Sequence, residues 1–342
     1  MRGETLDSAI LTLNLSVPMS VELGFSHKRV RHRLSTVMVE TERCGMIWSR
    51  TGRLKRQPRR WKELMRRVPL VLAVFLALNT QAFATWSVIA VDRKTGEVVI
   101  ASATCVSQDA IMHFPALGLK DIQAIIIPGK GVAAAQANVD RTRRRQNIIA
   151  TELKRGTDPA EILKMLADED SNHQTRQYGI VDLQGRAAGF SGAENQKQAL
   201  DRQGKVEGAE IYFSIQGNIL ASDDVVEDAV KAFKKTKGTL ADRVMAAMEA
   251  ADARGGDKRC TCETLPDPPA PCDHKTAHVA YIVVAGRNDK MGNGFNDGEY
   301  LMQIEVTDKN IQPNENDNPV KTLRMRYDRW RRSKMGSRVS GR

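Results

Sequence analysis

The chain has no glycine-rich phosphate fingerprint between a strand and a helix, and no nucleophile elbow. Mononucleotide-binding and α/β-hydrolase motifs therefore find no foothold. No internal repeat is visible, which removes solenoids and propellers. Aromatic residues make up only 5%. No apolar run reaches the roughly 20 residues of a membrane-spanning helix. The body also lacks positive charge. The chain carries a net +11, but residues 1–64 hold 13 Lys/Arg against 6 Asp/Glu, and residues 321–342 hold 9 against 1. With Arg66 and Arg67 set aside, residues 85–320 carry a net −6. A nucleic-acid enzyme more often carries its basic patch on the folded domain, so a nucleic-acid partner is not expected.

What is present begins with an internal export signal. Met65-Arg66-Arg67 is a positive start, and Val68 to Leu78 is an apolar run of about 11 residues, within signal-peptide range. Ala82-Phe83-Ala84 then supplies a small-x-small cleavage pattern. Residues 65–84 therefore read as a signal peptide, with the mature chain starting at Thr85 and exported to the periplasm or the exterior. Residues 1–64 read as an extension ahead of Met65 as the true initiator, or else as an unusually long leader; the first is favoured.

Thr85 to Val91 and Glu97 to Thr104 read as a hairpin around Asp92-Arg93-Lys94-Thr95-Gly96. Gln123 to Ile127 and Gly131 to Ala135 form a second pair. A helix is predicted from about Asp140 to Lys154, ended by Gly156. Asp158-Pro159 opens another. Tyr178 to Val181 and Ala187 to Phe190 make a third hairpin, and Ile211 to Ile215 is a strand. Two amphipathic helices follow over Asp223 to Lys235 and Leu240 to Ala253. Val279 to Val284 and Tyr300 to Val306 close with strands. Segregated hairpins and helix pairs argue for an α+β fold with mainly antiparallel sheets. The domain is expected to run over residues 85–308. Residues 309–342 read as a polar linker, Asn310 to Pro319, and a basic, solvated tail whose sharper reading is contact with an anionic envelope surface.

Several short runs, in this order, resemble one family. They are Thr85-Trp86-Ser87-Val88-Ile89-Ala90, Ala101-Ser102, Ala135-Gln136-Ala137, Gln177-Tyr178-Gly179-Ile180-Val181-Asp182, Phe190-Ser191-Gly192, Phe213-Ser214-Ile215-Gln216-Gly217-Asn218-Ile219-Leu220 and Gly255-Gly256-Asp257-Lys258-Arg259. Together they are similar to the DUF1028 proteins, a family placed in the N-terminal nucleophile (Ntn) hydrolase superfamily. The resemblance implies a four-layer αββα sandwich with the nucleophile at the start of the first strand. The chain departs from the family pattern at Ala103, after Gln136, and in a Cys/Pro-rich insertion over about residues 260–274.

A threonine hydroxyl needs an adjacent base, and a free α-amine titrates near 7.7–8.0. A cut before Thr85 gives one residue both groups. The reaction class implied is acyl transfer to Thr85 from a small-molecule or peptide amide, then ester hydrolysis. Asn218 is the candidate oxyanion donor, with Gln216 behind it and Ser102 orienting the amine. No cofactor or metal is required. Such folds often assemble into oligomers, which leaves room for a homo-oligomer. A non-catalytic binding or scaffold protein on the same fold is the rival.

The mature chain keeps Cys105, Cys260, Cys262 and Cys272. An even number in an exported chain suggests disulfides, with three possible connectivities. Cys260 and Cys262 are too close to favour each other, so Cys272 is expected to join one of them. The alternative is a zinc site using Cys260, Cys262 and Cys272 with His274 and His278, but the C-x-C spacing is atypical. His113, beside Phe114, is expected to be packed.

Overall fold

The computed structural model describes residues 85–114, 116–264 and 268–339, with side chains to 334. The expected signal peptide, residues 65–84, and residues 1–64 lie outside the described residues.

Strands β1 (Thr85–Asp92) and β2 (Val98–Thr104) form the first hairpin. The turn closes because the Asp92 carboxylate accepts the Lys94 N–H at 2.8 Å and Gly96 takes a positive φ of 80°, a conformation cheap only for glycine. Two short helices follow, α1 (Gln108–Met112) and α2 (Leu119–Gln123), then β3 (Ala124–Ile127) and β4 (Gly131–Ala137). Helices α3 (Arg144–Arg155) and α4 (Pro159–Glu169) precede β5 (Arg176–Asp182), β6 (Ala187–Ser191), β7 (Ala199–Lys205) and β8 (Ile211–Asn218). Helices α5 (Asp224–Lys235) and α6 (Leu240–Ala253), strands β9 (Val279–Ala285) and β10 (Met302–Thr307), and helix α7 (Pro319–Val339) complete the order.

The strands build two sheets, β10-β9-β2-β1-β8-β7 and β3-β4-β5-β6, and every strand pairing is antiparallel. The protein is thus a mixed α/β fold with antiparallel sheets. Alternation along β1 divides its side chains between two cores. Trp86, Val88 and Ala90 join a cluster with Val244, Met248 and Leu323 of the helices. Ile89 and Val91 join Ile126 and Val132 of the other sheet. A third cluster packs Ile149 and Leu153 of α3 and Ile162 and Leu166 of α4 on Ala133 and Ile180. Thr85 and Ser87 share the face of Ile89 and Val91, so the polar start of β1 lies between the sheets.

Three expectations shift. Helix α3 starts at Arg144 rather than Asp140, because the Asp140 carboxylate holds a turn: it accepts from Thr142 Oγ1 at 2.6 Å and from the Arg145 N–H at 3.0 Å. His113 is exposed, its Nδ1 2.8 Å from the Asp109 carbonyl; Phe114 lies under Arg141 instead. The expected linker and tail are packed. Val320, Leu323 and Tyr327 of α7 are buried against the first cluster. Ahead of them, Asp317 and Asn318 are 1% and 0% exposed, Asp317 pairing with the equally buried Lys275 and Asn318 donating to Asp252 at 2.8 Å. A polar segment can be interior when each group finds such a partner. No helix among the described residues is long and apolar enough to cross a membrane.

Candidate active site

Thr85 opens β1, with Thr104 of β2 opposite on one side and Asn218 of β8 on the other. Its side chain is interior, 1% exposed, and its Oγ1 donates to Thr104 Oγ1 at 3.4 Å. Both neighbours are buried. The register therefore sets Thr85 and Asn218, the candidate nucleophile and oxyanion donor, opposite each other across a strand pair.

The other two candidates lie one step inward. Ser102 and Gln216 are both opposite Ser87. Ser102 Oγ donates to the Trp86 carbonyl at 2.6 Å, so it fixes the main chain next to Thr85. Gln216 Nε2 donates to Ser87 Oγ at 2.6 Å, and its Oε1 accepts from Ser214 Oγ at 2.7 Å. It belongs to a polar layer between the sheets.

That layer was not foreseen. Its hub is Gln136, at the end of β4. Gln136 Oε1 accepts from Ser87 Oγ at 2.7 Å and from Gln123 Nε2 at 2.5 Å. Its Nε2 donates to the Thr85 carbonyl at 3.0 Å and to Gln177 Oε1 at 2.7 Å. Gln177 Nε2 in turn donates to the Gly217 carbonyl at 2.8 Å and to Ser191 Oγ at 2.7 Å. The main-chain carbonyls of Thr85 and of the residue before Asn218 are thus held by two linked amides. Burial pushes the Tyr281 hydroxyl well above its usual pKa, so it remains a donor, to Gln123 Oε1 at 2.9 Å. A Cβ on Gly179 would overlap the Gln216 amide, which is why β5 carries glycine where its neighbours are bulky. The sequence offered one signal for this layer: glutamines and serines at alternate positions of otherwise apolar strands.

Two backbone outliers flank the site. Ala137, directly after Gln136, has φ 75°, and Ile219, directly after Asn218, has φ 55°. A β-branched residue at positive φ is unusual, and such strain concentrates where a fold positions functional groups.

The segment Gly255–Arg259 closes the same end of the six-stranded sheet. Asp257 bridges to Leu220, and the Lys258 N–H donates to the Ile219 carbonyl at 3.3 Å. The fully buried Asp257 carboxylate accepts from the Cys105 N–H at 3.0 Å and from Arg259 Nη2 at 2.8 Å. It thereby ties the residue after Thr104 to a guanidinium. Beyond Gln136, a small cleft is lined by Ile122, Asp140, Arg145, Arg176 and Tyr178. Its charges are mutually paired: Asp170 accepts from Arg145 and from Arg176 Nε at 2.8 Å.

The cysteines pair as Cys105–Cys260 and Cys262–Cys272. Cys272 joins one member of the C-x-C pair, as expected, and the cysteine ligands of the alternative zinc reading are taken up in disulfides. Burial, with Lys275 and Arg259 nearby, lowers the His278 pKa to about 4.

No curated protein matches the chain. The crystal structure of protein SPO2555 from Silicibacter pomeroyi, a DUF1028 protein, is similar at 21% identity with a TM-score of 0.52. The match covers 72% of this chain and 88% of that one, and at this identity it speaks for the fold alone. The family described as "Family of unknown function (DUF1028)" matches residues 85–263, and its match begins on Thr85, the residue around which the site is built. The chain belongs to the DUF1028 family.

Proposed function

We infer that this protein is an exported Ntn-type amidohydrolase, with Thr85 freed by removal of the signal segment 65–84. The observation that carries this reading is the position of Thr85. It is the first residue of a central strand, between Thr104 and Asn218, with its carbonyl held by Gln136. The three successive cores support a four-layer αββα sandwich of the Ntn type. In the uncut chain the Thr85 nitrogen is an amide and cannot act as a base. After the cut it is an amine able to accept the hydroxyl proton. Thr85 Oγ1 then attacks the substrate carbonyl carbon. The amide C–N bond breaks, the proton passes to the leaving amine, and an acyl ester remains on Thr85. Water hydrolyses that ester. In this reading the Asn218 side-chain amide stabilises the oxyanion, while Gln136 and Ser102 hold the main chain around the nucleophile.

One observation favours a second reading, a non-catalytic binding or scaffold protein of the cell envelope. Thr85 is only 1% exposed in the uncut chain, so a substrate reaches its hydroxyl only if the cut, or a movement of neighbouring chain, uncovers it. Exposed Arg329, Arg332 and Lys334 at the end of α7 suit contact with an anionic envelope surface in either reading.

The test is N-terminal sequencing with intact mass of protein exported by its own host, followed by an amide-substrate screen with Thr85→Ala as control. A chain starting at Thr85 with amide hydrolysis that the variant loses by about 10³-fold or more upholds the enzyme. A start elsewhere, or full activity in the variant, overturns it.

A further inference from the structure

Cys105 directly follows β2, and Cys260 directly follows Arg259; a disulfide joins them across a sequence separation of 155. His278 directly precedes β9, and its backbone N–H donates to the Thr104 carbonyl at 2.8 Å. Pairing of β2 with β9 sets Thr104 against Val279, which brings the imidazole to the disulfide. One ligand atom from each of Cys105, Cys260 and His278 lies within 4.8 Å of the other two. A second observation is independent of that spacing. His278 is 3% exposed, and its Nδ1 has no hydrogen-bond partner among the described residues. Leaving a buried polar nitrogen unpaired costs about 1–3 kcal/mol, and such groups are rare enough in native proteins to call for a reason. A disulfide sulfur, at best a weak acceptor, does not supply one.

The geometry points to a two-state site: a disulfide when oxidised, and, when reduced, a Cys105–Cys260–His278 site for one thiolate-preferring divalent cation such as zinc. The electrons and atoms balance as follows. A dithiol reductant gives two electrons and two protons, becoming a disulfide itself. The Cys105–Cys260 bond breaks to two thiols. The ion then displaces the two thiol protons, forming two sulfur–metal bonds and one nitrogen–metal bond. Two thiolates neutralise its charge. Tetrahedral zinc takes sulfur at about 2.3 Å, which sets the two sulfurs about 3.8 Å apart. Water can fill the fourth position on the side of Cys105, the half-buried member. The neighbouring cations do not oppose the ion uncompensated, since Arg259 is paired with Asp257 and Lys275 with Asp317. Either state clamps the Gly255–Cys260 segment to the end of β2. Cys262–Cys272 closes a loop of sequence separation 10 and belongs to no such cluster among the described residues. None of this requires Thr85 to be catalytic.

The experiment uses the full chain, reduced with a water-soluble phosphine, desalted without oxygen and titrated with Co²⁺. The expected result is one Co²⁺ per chain, with thiolate-to-cobalt charge-transfer absorption that Zn²⁺ abolishes, and no binding by the disulfide form. His278→Ala should weaken binding by about tenfold or more. Cys105→Ala should lose the absorption, and a Cys262→Ser/Cys272→Ser variant should keep it. Failure of the reduced chain to bind Co²⁺ overturns the proposal. So does equal affinity in His278→Ala, or loss of the signal in Cys262→Ser/Cys272→Ser. If the reduced chain unfolds, recovery of its circular dichroism on adding Zn²⁺ supports the site, and no recovery overturns it.

Discussion

Gln136 shows how a single side chain can organise a site that its residue type conceals. All its hydrogen-bonding capacity is used, on Ser87, Gln123, Gln177 and the Thr85 carbonyl. Replacing it with leucine removes one amide and strands several buried partners. Gln136→Leu is expected to destabilise the fold by about 2–4 kcal/mol, read as a shift of the urea midpoint. The residue was legible in the sequence only as part of the Ala135-Gln136-Ala137 run. A glutamine in a strand usually marks a solvent face, and nothing local says that a second sheet covers it. Thr85 was legible as the start of a strand, because Thr85 to Val91 alternates polar and apolar residues.

Asp170 supplies a residue-scale pH dependence. Burial by itself would raise its pKa, but hydrogen bonds from Arg145 and Arg176 outweigh that and hold it at about 2, against an unfolded value near 3.9. A depressed folded pKa gives stability that is fully present above the unfolded value and lost as pH falls through the folded one. Asp170→Asn should therefore cost roughly 2 kcal/mol at neutral pH. The gap between wild type and variant should narrow below about pH 4 and close only below about pH 2. Urea unfolding of both proteins across that range reads it directly.

Among the elements, legibility followed patterning. The β1–β2 hairpin, the β5–β6 hairpin, and helices α4, α5 and α6 carry clear periodicity or caps, and they stand where the sequence placed them to within a few residues. Strand β7 (ALDRQGK) was not legible. It is an edge strand with Leu200 against one core and Asp201 and Gln203 in the polar layer, so no apolar alternation announces it. Residues 310–318 were misread for a related reason: their polarity looks like linker, while their partners, Lys275, Asp252 and Thr322, are distant or on the following helix. The buried Lys275–Asp317 pair is the fastening of this segment. Lys275→Met alone should cost about 3–5 kcal/mol, by leaving a buried carboxylate unpaired. Lys275→Met with Asp317→Leu should recover most of that, and a double-mutant cycle by chemical denaturation measures the difference.

At the scale of the whole molecule, the two disulfides constrain the chain unequally. Cys105–Cys260 closes a loop of sequence separation 155, and Cys262–Cys272 one of 10. Loop-closure entropy assigns them about 5 and about 3 kcal/mol. Cys105→Ser/Cys260→Ser should accordingly lower the melting temperature of the oxidised protein more than Cys262→Ser/Cys272→Ser. Composition foretold that the cysteines pair, but the long-range partner of Cys260 depends on where β2 ends in space.

If the chain is cut ahead of Thr85 as proposed, the pairing of β1 also fixes an order of events. An external protease needs several residues of slack, extended chain on both sides of the bond it cuts. From Thr85 onward the chain is locked between β2 and β8. The bond ahead of Thr85 is therefore open to such an enzyme only while β1 is still unpaired. On that reading, processing and folding run as a race in which the cut has to come first. A chain that folds uncut would then accumulate with an amide in place of the Thr85 amine.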